Sequence, residues 1–145
     1  MTPTTPSSPA DLAAYFDLRW RVLRQPWDQP RGSEQDDHDA IAFHLMLRDD
    51  TDGTPIAAGR LHEPEPGIGQ VRYMAVADTH RGQGLGSVIL RGLEAEAVRR
   101  GYRRLKLNAR ETAIPFYASN GFVDTGPAPT AFGIPHRAMA KEIGG

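Results

Sequence analysis

Cysteine is absent from the 145-residue chain, which excludes disulfides, thiolate metal sites and a cysteine nucleophile. Positive and negative side chains nearly balance, with a formal net charge of −1, so composition gives no indication of a surface that binds nucleic acid or membrane. No apolar run is long enough to span a bilayer, and the N-terminus has no signal-peptide pattern. We therefore expect one cytoplasmic domain over residues 1–145, with no nucleic-acid, membrane or metal partner.

The stretch from residue 71 to residue 100 predicts a strand, a glycine-rich loop and a helix. Val71–Val76 is rich in apolar and β-branched residues, and the apolar positions after Ser87 recur at three- and four-residue spacing. Glycines at such a junction let an anion approach the free main-chain N–H groups at the start of a helix. The loop therefore predicts a phosphate or pyrophosphate site, built from Arg81, Gly82, Gln83, Gly84, Leu85, Gly86 and Ser87.

Two familiar phosphate-binding patterns do not fit this loop. A Walker loop requires a lysine directly after its last glycine, and a dinucleotide-binding loop spaces its glycines differently. The absence of that lysine argues against a general nucleotide-binding protein. The pattern that fits is Arg/Gln-x-x-Gly-x-Gly at Arg81, Gly84 and Gly86. Further along the chain, residues 116–122 read Phe-Tyr-Ala-Ser-Asn-Gly-Phe.

Together, these two motifs resemble the coenzyme A loop and the FYxxxGF motif of the GNAT acetyltransferase superfamily. The stretch from Leu18 to Asp39, His44 and the segment 133–139 are similar to the ElaA-like branch of that superfamily. The resemblance implies an α+β fold of three α/β/α layers, with a mixed, mostly antiparallel central sheet and a β–glycine loop–α crossover. It also implies that the two strands of the crossover splay apart around the thioester arm of acetyl-CoA.

The resemblance further implies an N-acetyltransferase that acts on a primary amine of a small molecule or peptide, in a family whose members are often homodimers. A non-catalytic acyl-CoA-binding sensor on the same fold is the alternative. Beyond the glycine loop, the coenzyme-binding residues that it implies are Met74, Ala75, Val76, Asn108, Arg110, Phe116 and Tyr117. Arg110 stands where many relatives carry an asparagine.

Acyl transfer needs a donor to the developing oxyanion, an acid for the thiolate and a base for the amine. The main-chain N–H of Val76 matches the first role, and Tyr117 matches the acid, although a half-buried helix tyrosine is the simpler interpretation outside this motif. Glu111 and His44 are the preferred bases. Other candidates for the base are Glu34, Asp37, His62, Glu63 and His136.

The long polar loop over residues 25–39 contains the acidic cluster Glu34, Asp36, Asp37 and Asp39. Such a cluster is either a solvated loop or a site for a cationic acceptor. In the second interpretation, Glu34, Asp37 and His136 bind the acceptor.

The remaining patterns predict a frayed tail over residues 1–7, without room for a strand, and a helix over 9–24 with Ser8 as its N-cap. Strands are expected at 40–48, 55–62 and 102–109, a turn at 63–69 and a short helix over 112–119. After a strand that begins at Phe122, residues 126–135 read as a loop and 136–142 as a final edge strand.

Overall fold

The computed structural model describes residues 2–144. Within that range the helices are α1 (Pro9–Leu23), α2 (Leu85–Arg99) and α3 (Ile114–Ser119). The strands are β1 (Phe43–Arg48), β2 (Pro55–Glu65), β3 (Ile68–Val76), β4 (Arg104–Arg110), β5 (Val123–Ala131) and β6 (Ile134–Glu142). They form one sheet in the order β1-β2-β3-β4-β6-β5, in which β3 and β4 are parallel and the other neighbours are antiparallel. The predicted α+β fold with a mixed, mostly antiparallel sheet is confirmed.

Helices α1 and α2 cover opposite faces of this sheet. Neighbouring residues of a strand point to opposite faces, and two such residues of β1 contact different helices. His44 of β1 contacts Tyr15 of α1, whereas the next residue, Leu45, packs against Gly92 of α2. As predicted, Ser8 caps α1, since its hydroxyl accepts the Asp11 N–H at 3.0 Å. None of the helices in residues 2–144 is both long and apolar enough to cross a membrane.

The C-terminal strands differ from the prediction. Strand β6 was expected at the edge, but it lies between β4 and β5, and residues 126–131, expected as loop, belong to β5. Pro127 and Pro129 suggest a loop, yet an edge strand tolerates proline because one of its sides has no partner strand. The β2–β3 turn is also shorter than predicted, since β2 continues to Glu65 and β3 begins at Ile68.

The segment before α1 is not the frayed tail that its composition predicts. The Thr4 N–H donates to the Met46 carbonyl at 2.9 Å, and the Met46 N–H donates to the Thr4 carbonyl at 2.8 Å. This single antiparallel bridge lies beside β1, and no further strand forms there in the part of the chain from residue 2. Met1, which the predicted tail includes, is outside the described residues.

Strands β3 and β4 separate after a short paired stretch. They pair only from Ile68 with Arg104 to Gln70 with Lys106, and the rest of β3 pairs with β2 alone. One edge of β3 is therefore left without a partner strand along Val71–Val76. The resemblance implied such a splay, and it opens the cleft described below.

A bulge in β3 lies where the two strands diverge. The register advances by two residues in β2 but by three in β3, between the pairs Ala58–Ala75 and Arg60–Arg72. Tyr73 within the bulge has a φ of 56°, which is uncommon for a residue other than glycine. Gly59 opposes the bulge, and an isolated glycine in a strand pattern is a recognised signal for this irregularity.

We expect Gly59→Ala to destabilise the protein by about 1–3 kcal/mol, the usual cost of an extra methyl group in a packed core. A Cβ at this position would lie 2.6 Å from Ile89 Cγ2 and 2.7 Å from the Met74 sulfur. Urea denaturation measures the effect as a lower midpoint with an unchanged slope. An unchanged midpoint would show that the Ile89 and Met74 side chains move aside at no cost.

Candidate functional site

A cleft with a volume of about 450 Å³ occupies the gap between the diverging strands. Its walls come from Gln70–Met74 of β3, Asn108–Arg110 of β4, the end of α1 and the β5–β6 hairpin. Tyr117 of α3 also lines it. The cleft thus lies at the point where the sheet has unsatisfied strand edges, which suits an extended ligand that pairs with main chain.

The glycine loop ends at the start of α2 with its main-chain donors available. Gly84 is the N-cap with a φ of 75°, and no side chain caps the helix. The first helical hydrogen bond runs from the Val88 N–H to the Gly84 carbonyl at 3.2 Å, so the N–H groups of Leu85, Gly86 and Ser87 precede the helical ladder. Together with the positive end of the helix dipole, these N–H groups suit a phosphate or pyrophosphate.

The glycine loop and the second motif meet in space. A Cβ on Gly86 would lie 3.2 Å from Phe116 Cζ, so glycine is needed for this close approach. The Asn120 amide donates to the Phe116 carbonyl at 2.9 Å and to the Ser87 hydroxyl at 3.4 Å. Two motifs that are distant in the sequence therefore border one end of the site.

Tyr117 is a buried tyrosine of the cleft, and its phenol is the candidate proton donor. It is 8% exposed, and the rings of Phe116 and Phe122 pack edge-on against it, with centroids 5.0 and 5.9 Å away. Burial raises the pKa of the Tyr117 phenol to about 12, while the positive charge of Arg110 acts in the opposite direction. The phenol is therefore protonated at neutral pH and can donate a hydrogen bond.

His136 also lines the cleft, where β6 pairs it with Arg110 of β4. Its Nδ1 lies 2.9 Å from the Ile134 carbonyl oxygen. Because a carbonyl only accepts, Nδ1 carries the proton, and Nε2 of the neutral ring holds a free lone pair. His136 was predicted from the sequence to bind the acceptor and was among the candidate bases, and its geometry suits a base.

The two preferred bases are not in the cleft. His44 is buried, with Nδ1 2.9 Å from the Tyr15 hydroxyl and Nε2 2.8 Å from the Asp39 carbonyl, and burial lowers its pKa. Both ring nitrogens are therefore engaged, and His44 offers the cleft no free nitrogen for the role of base. Glu111 is exposed and lines an adjoining hollow of about 210 Å³ that it shares with Trp27 and Arg110.

None of the acids Glu34, Asp36, Asp37 and Asp39 is among the residues that line the cleft. Glu34 is 3% exposed, and its carboxylate accepts the Gly32 N–H at 2.8 Å and the Gln35 amide at 2.7 Å, which closes the loop on itself. Asp37 is exposed and is not among the residues that line the cleft. The Glu34 carboxylate is thus engaged within its own loop, and neither Glu34 nor Asp37 belongs to the cleft wall.

The other two acids of the loop neutralise buried arginines. Arg19 and Arg60 are both 0% exposed, and Asp39 accepts from each at 3.0 Å. Asp36 bonds Arg60 and, at 2.8 Å, the more exposed Arg72. These ion pairs fix the loop over β2, so their role is structural.

Of the predicted coenzyme residues, Met74, Asn108 and Arg110 line the cleft, while Ala75 and Val76 continue the open edge of β3. Arg81 is exposed and pairs with Asp78 at 2.8 Å. Sequence reasoning missed several cleft residues, namely Arg24, Trp27, Arg72, Tyr73 and Phe132. For Tyr73 a signal was present, because the isolated Gly59 in β2 indicates a bulge in its neighbour strand.

Comparison with known proteins agrees with this geometry. Residues 12–122 match the model of the Acetyltransferase (GNAT) family. The uncharacterized N-acetyltransferase YjcF of Bacillus subtilis (strain 168) is 30% identical over 128 residues, which are 88% of this chain and 89% of YjcF.

Solved structures with the same fold include ElaA of Escherichia coli, at a TM-score of 0.81 and 19% identity, with 97% of both chains covered. An aminoglycoside 6'-N-acetyltransferase complexed with coenzyme A superposes at a TM-score of 0.83 with 17% identity, over 99% of this chain and 97% of the other. At these identities the two structures show a shared fold. With the family model and YjcF, the evidence places this chain in the GNAT family of acetyltransferases.

Proposed function

We propose that this protein is an acetyl-CoA-dependent N-acetyltransferase that moves the acetyl group directly to a primary amine of a small molecule or peptide. The observation that carries the proposal is the open edge of β3, bordered at one end by the uncapped start of α2 and facing a buried, protonated Tyr117. Family membership supports it, and a GNAT-fold structure with coenzyme A bound supports the choice of coenzyme.

In this proposal the loop Arg81–Ser87 holds the pyrophosphate through its main-chain N–H groups. The thioester arm lies along β3 at Met74–Val76, on the edge that faces away from β2 and has no partner strand. Asn108, Arg110 and Phe116 complete the coenzyme site. When bound, the coenzyme supplies an activated acyl carbon, and every other contribution comes from the protein.

The amine must lose a proton, and His136 is the proposed base, because its Nε2 has a free lone pair in the cleft. As the new C–N bond forms, the main-chain N–H of Val76 stabilises the charge on the carbonyl oxygen. The C–S bond then breaks and the electron pair leaves with sulfur. Tyr117 donates its O–H to that sulfur.

The size of the Tyr117 contribution follows from its pKa. A thiol ionises near pH 8.5, well below the pKa of about 12 for this phenol, so complete proton transfer to the thiolate is uphill. Hydrogen bonding from the phenol grows stronger as negative charge collects on sulfur. The phenol therefore stabilises the transition state more than the ground state, which is the condition for catalysis.

Thermal denaturation with increasing acetyl-CoA tests the proposal, with thiol release across a panel of amines measured in the same samples. A ligand that binds only the native state stabilises it by about 2.7 kcal/mol at a hundred times its dissociation constant. We expect a rise in Tm with acetyl-CoA, a much smaller one with ATP, and thiol release with one class of amine. A rise without release from any amine would favour the non-catalytic sensor, and no rise at millimolar acetyl-CoA would refute the assignment of Arg81–Ser87.

A further inference from the structure

The permanently charged side chains that line the cleft are all arginines. Arg24, Arg72 and Arg110 line the cleft, and no carboxylate lines it among residues 2–144. This is the reverse of the acidic acceptor site that the loop over residues 25–39 had predicted. An unbalanced set of guanidinium groups in a concave site attracts anions and repels polycations.

Arg24 and Arg110 are the arginines of this wall that form no salt bridge within residues 2–144, and Arg24 is the less exposed of the two. Its Nε donates to the Ser33 carbonyl at 2.9 Å and its Nη1 donates to the Leu23 carbonyl at 3.1 Å, whereas Nη2 has no main-chain or carboxylate acceptor in the described range. No carboxylate lies within 4.0 Å of Arg24 in that range, whereas Arg72 pairs with Asp36. Burial lowers the pKa of Arg24, Tyr73 acts in the opposite direction, and the charges of Arg72 and Arg19 add to the effect of burial.

The surroundings of Arg24 hold its guanidinium in place. Its Cζ lies 5.5 Å from the centroid of the Tyr73 ring and 4.9 Å from that of Phe132, within the range of cation–π contact. Both rings line the cleft, as does Trp27. A held guanidinium with free N–H groups suits a carboxylate or phosphate, and the aromatic walls suit an apolar body.

The position of Arg24 separates it from the proposed coenzyme site. Its neighbours are Ser33, Tyr73 and Phe132, whereas the glycine loop contacts Phe116, Val76 and Asn120. The charge on Arg24 is therefore not needed for the pyrophosphate, which the α2 N-terminus serves. A volume of about 450 Å³ also suits a small molecule.

Resting on the proposed function, we infer that the acceptor is a small primary amine that also bears an anionic group, a carboxylate or a phosphate, and that Arg24 binds this group. The amine end then lies toward the reacting centre and the apolar body contacts the aromatic walls. An amino acid or a phosphorylated amine has this chemistry, and a polyamine does not.

Matched amine pairs test the inference, with thiol release measured at saturating acetyl-CoA. Phenylalanine and phenethylamine differ only in the carboxylate, O-phosphoethanolamine and ethanolamine differ in the phosphate, and spermidine is the polycation. We expect kcat/KM for at least one anionic member to exceed that of its neutral partner by about 10- to 100-fold, since a charge-assisted hydrogen bond contributes about 1.5–3 kcal/mol. The pair that shows this preference distinguishes the carboxylate from the phosphate.

Arg24→Gln should remove the preference by raising KM for the anionic amine about 10-fold or more, leaving its neutral partner and the KM for acetyl-CoA nearly unchanged. Arg24→Lys should retain part of it. Arg91→Gln removes an exposed arginine of α2 that does not line the cleft, and it serves as the control.

Equal or better rates with phenethylamine, ethanolamine or spermidine would overturn the inference and leave the proposed acetyltransferase intact. Acetyl-CoA binding without thiol release from any anionic amine would also overturn the inference. Failure of acetyl-CoA to raise the Tm would instead overturn the proposed function, and this inference with it.

Discussion

Tyr117→Phe is expected to lower kcat by about 10²- to 10³-fold, the usual loss when one hydrogen-bond donor to a developing negative charge is removed. The phenol lines the cleft, is 8% exposed and remains protonated at neutral pH because its pKa is about 12. Phenylalanine keeps the ring that packs against Phe116 and Phe122, so the fold and the acetyl-CoA-induced rise in Tm should persist. Steady-state rates and thermal denaturation measure the two quantities.

Tyr102→Phe is the matched control, because Tyr102 is also a buried tyrosine, 6% exposed, but does not line the cleft. Its kcat should stay within about twofold of the original, as expected for a change that spares the reacting centre. An unchanged kcat for Tyr117→Phe would remove the hydrogen bond to sulfur from the mechanism. A lost response to acetyl-CoA would show that Tyr117 binds the coenzyme instead.

The conformation of the glycine loop and the start of α2 could be predicted because their features are local. Positive φ at Gly82 and Gly84 and the start of α2 follow from residues adjacent in the sequence. The packing of Phe116 on Gly86 joins two motifs that were each readable alone. Short-range signals of this kind do not depend on how distant segments of the chain pair or pack.

The position of β6 could not be read in the same way. Its place between β4 and β5 depends on hydrogen bonds between segments far apart in the sequence, such as Arg104 with Glu142. Pro127 and Pro129 favour a loop locally, and only the outer position of β5 makes them compatible with a strand. Pairing order is a property of the whole sheet, so local propensity gave the wrong answer here.

The partners of the acidic loop could not be predicted, because a charge in a sequence does not reveal its partner. The acids of the loop suggested a cationic ligand, but Asp39 is paired with Arg19 of α1 and Arg60 of β2. One signal was present, since an arginine between Gly59 and Leu61 interrupts an apolar strand, and a buried charge requires a counter-charge. Once these ion pairs have formed, arginines without a carboxylate partner are left in the cleft wall, and Arg24 is one of them.

The same ion pairs carry the largest expected effect on stability. Asp39→Asn should lower the free energy of unfolding by about 3–5 kcal/mol, the cost of removing one partner from a buried ion pair. The Asp39 side chain is 9% exposed and accepts hydrogen bonds from two fully buried arginines. The Nε atoms of these arginines already lack a partner within residues 2–144, so loss of the Asp39 carboxylate further weakens the hydrogen bonding of two buried guanidinium groups, of which Arg60 keeps Asp36. Urea denaturation at neutral pH measures the change.

The exposed Asp37 supplies the control, because Asp37→Asn makes the same chemical change without an ion pair in the described structure, and its unfolding midpoint should hardly move. An unchanged midpoint for Asp39→Asn would show that Asp36 alone neutralises both arginines.

Acid titration gives an independent check on the same cluster. Burial alone would raise the pKa of Asp36, but hydrogen bonds and charge from Arg60 lower it to about 2, and the pKa of Asp39 is also lowered, since the effects of Arg19 outweigh burial. A carboxylate whose pKa is lower in the folded state stabilises the fold above its unfolded value of about 3.9. That stability is lost as the pH falls through the folded value, so stability should decline between about pH 4 and pH 2. Asp39→Asn removes one of the two groups, and its decline over this interval should be shallower. An equally steep decline would place the acid-sensitive groups elsewhere in the protein.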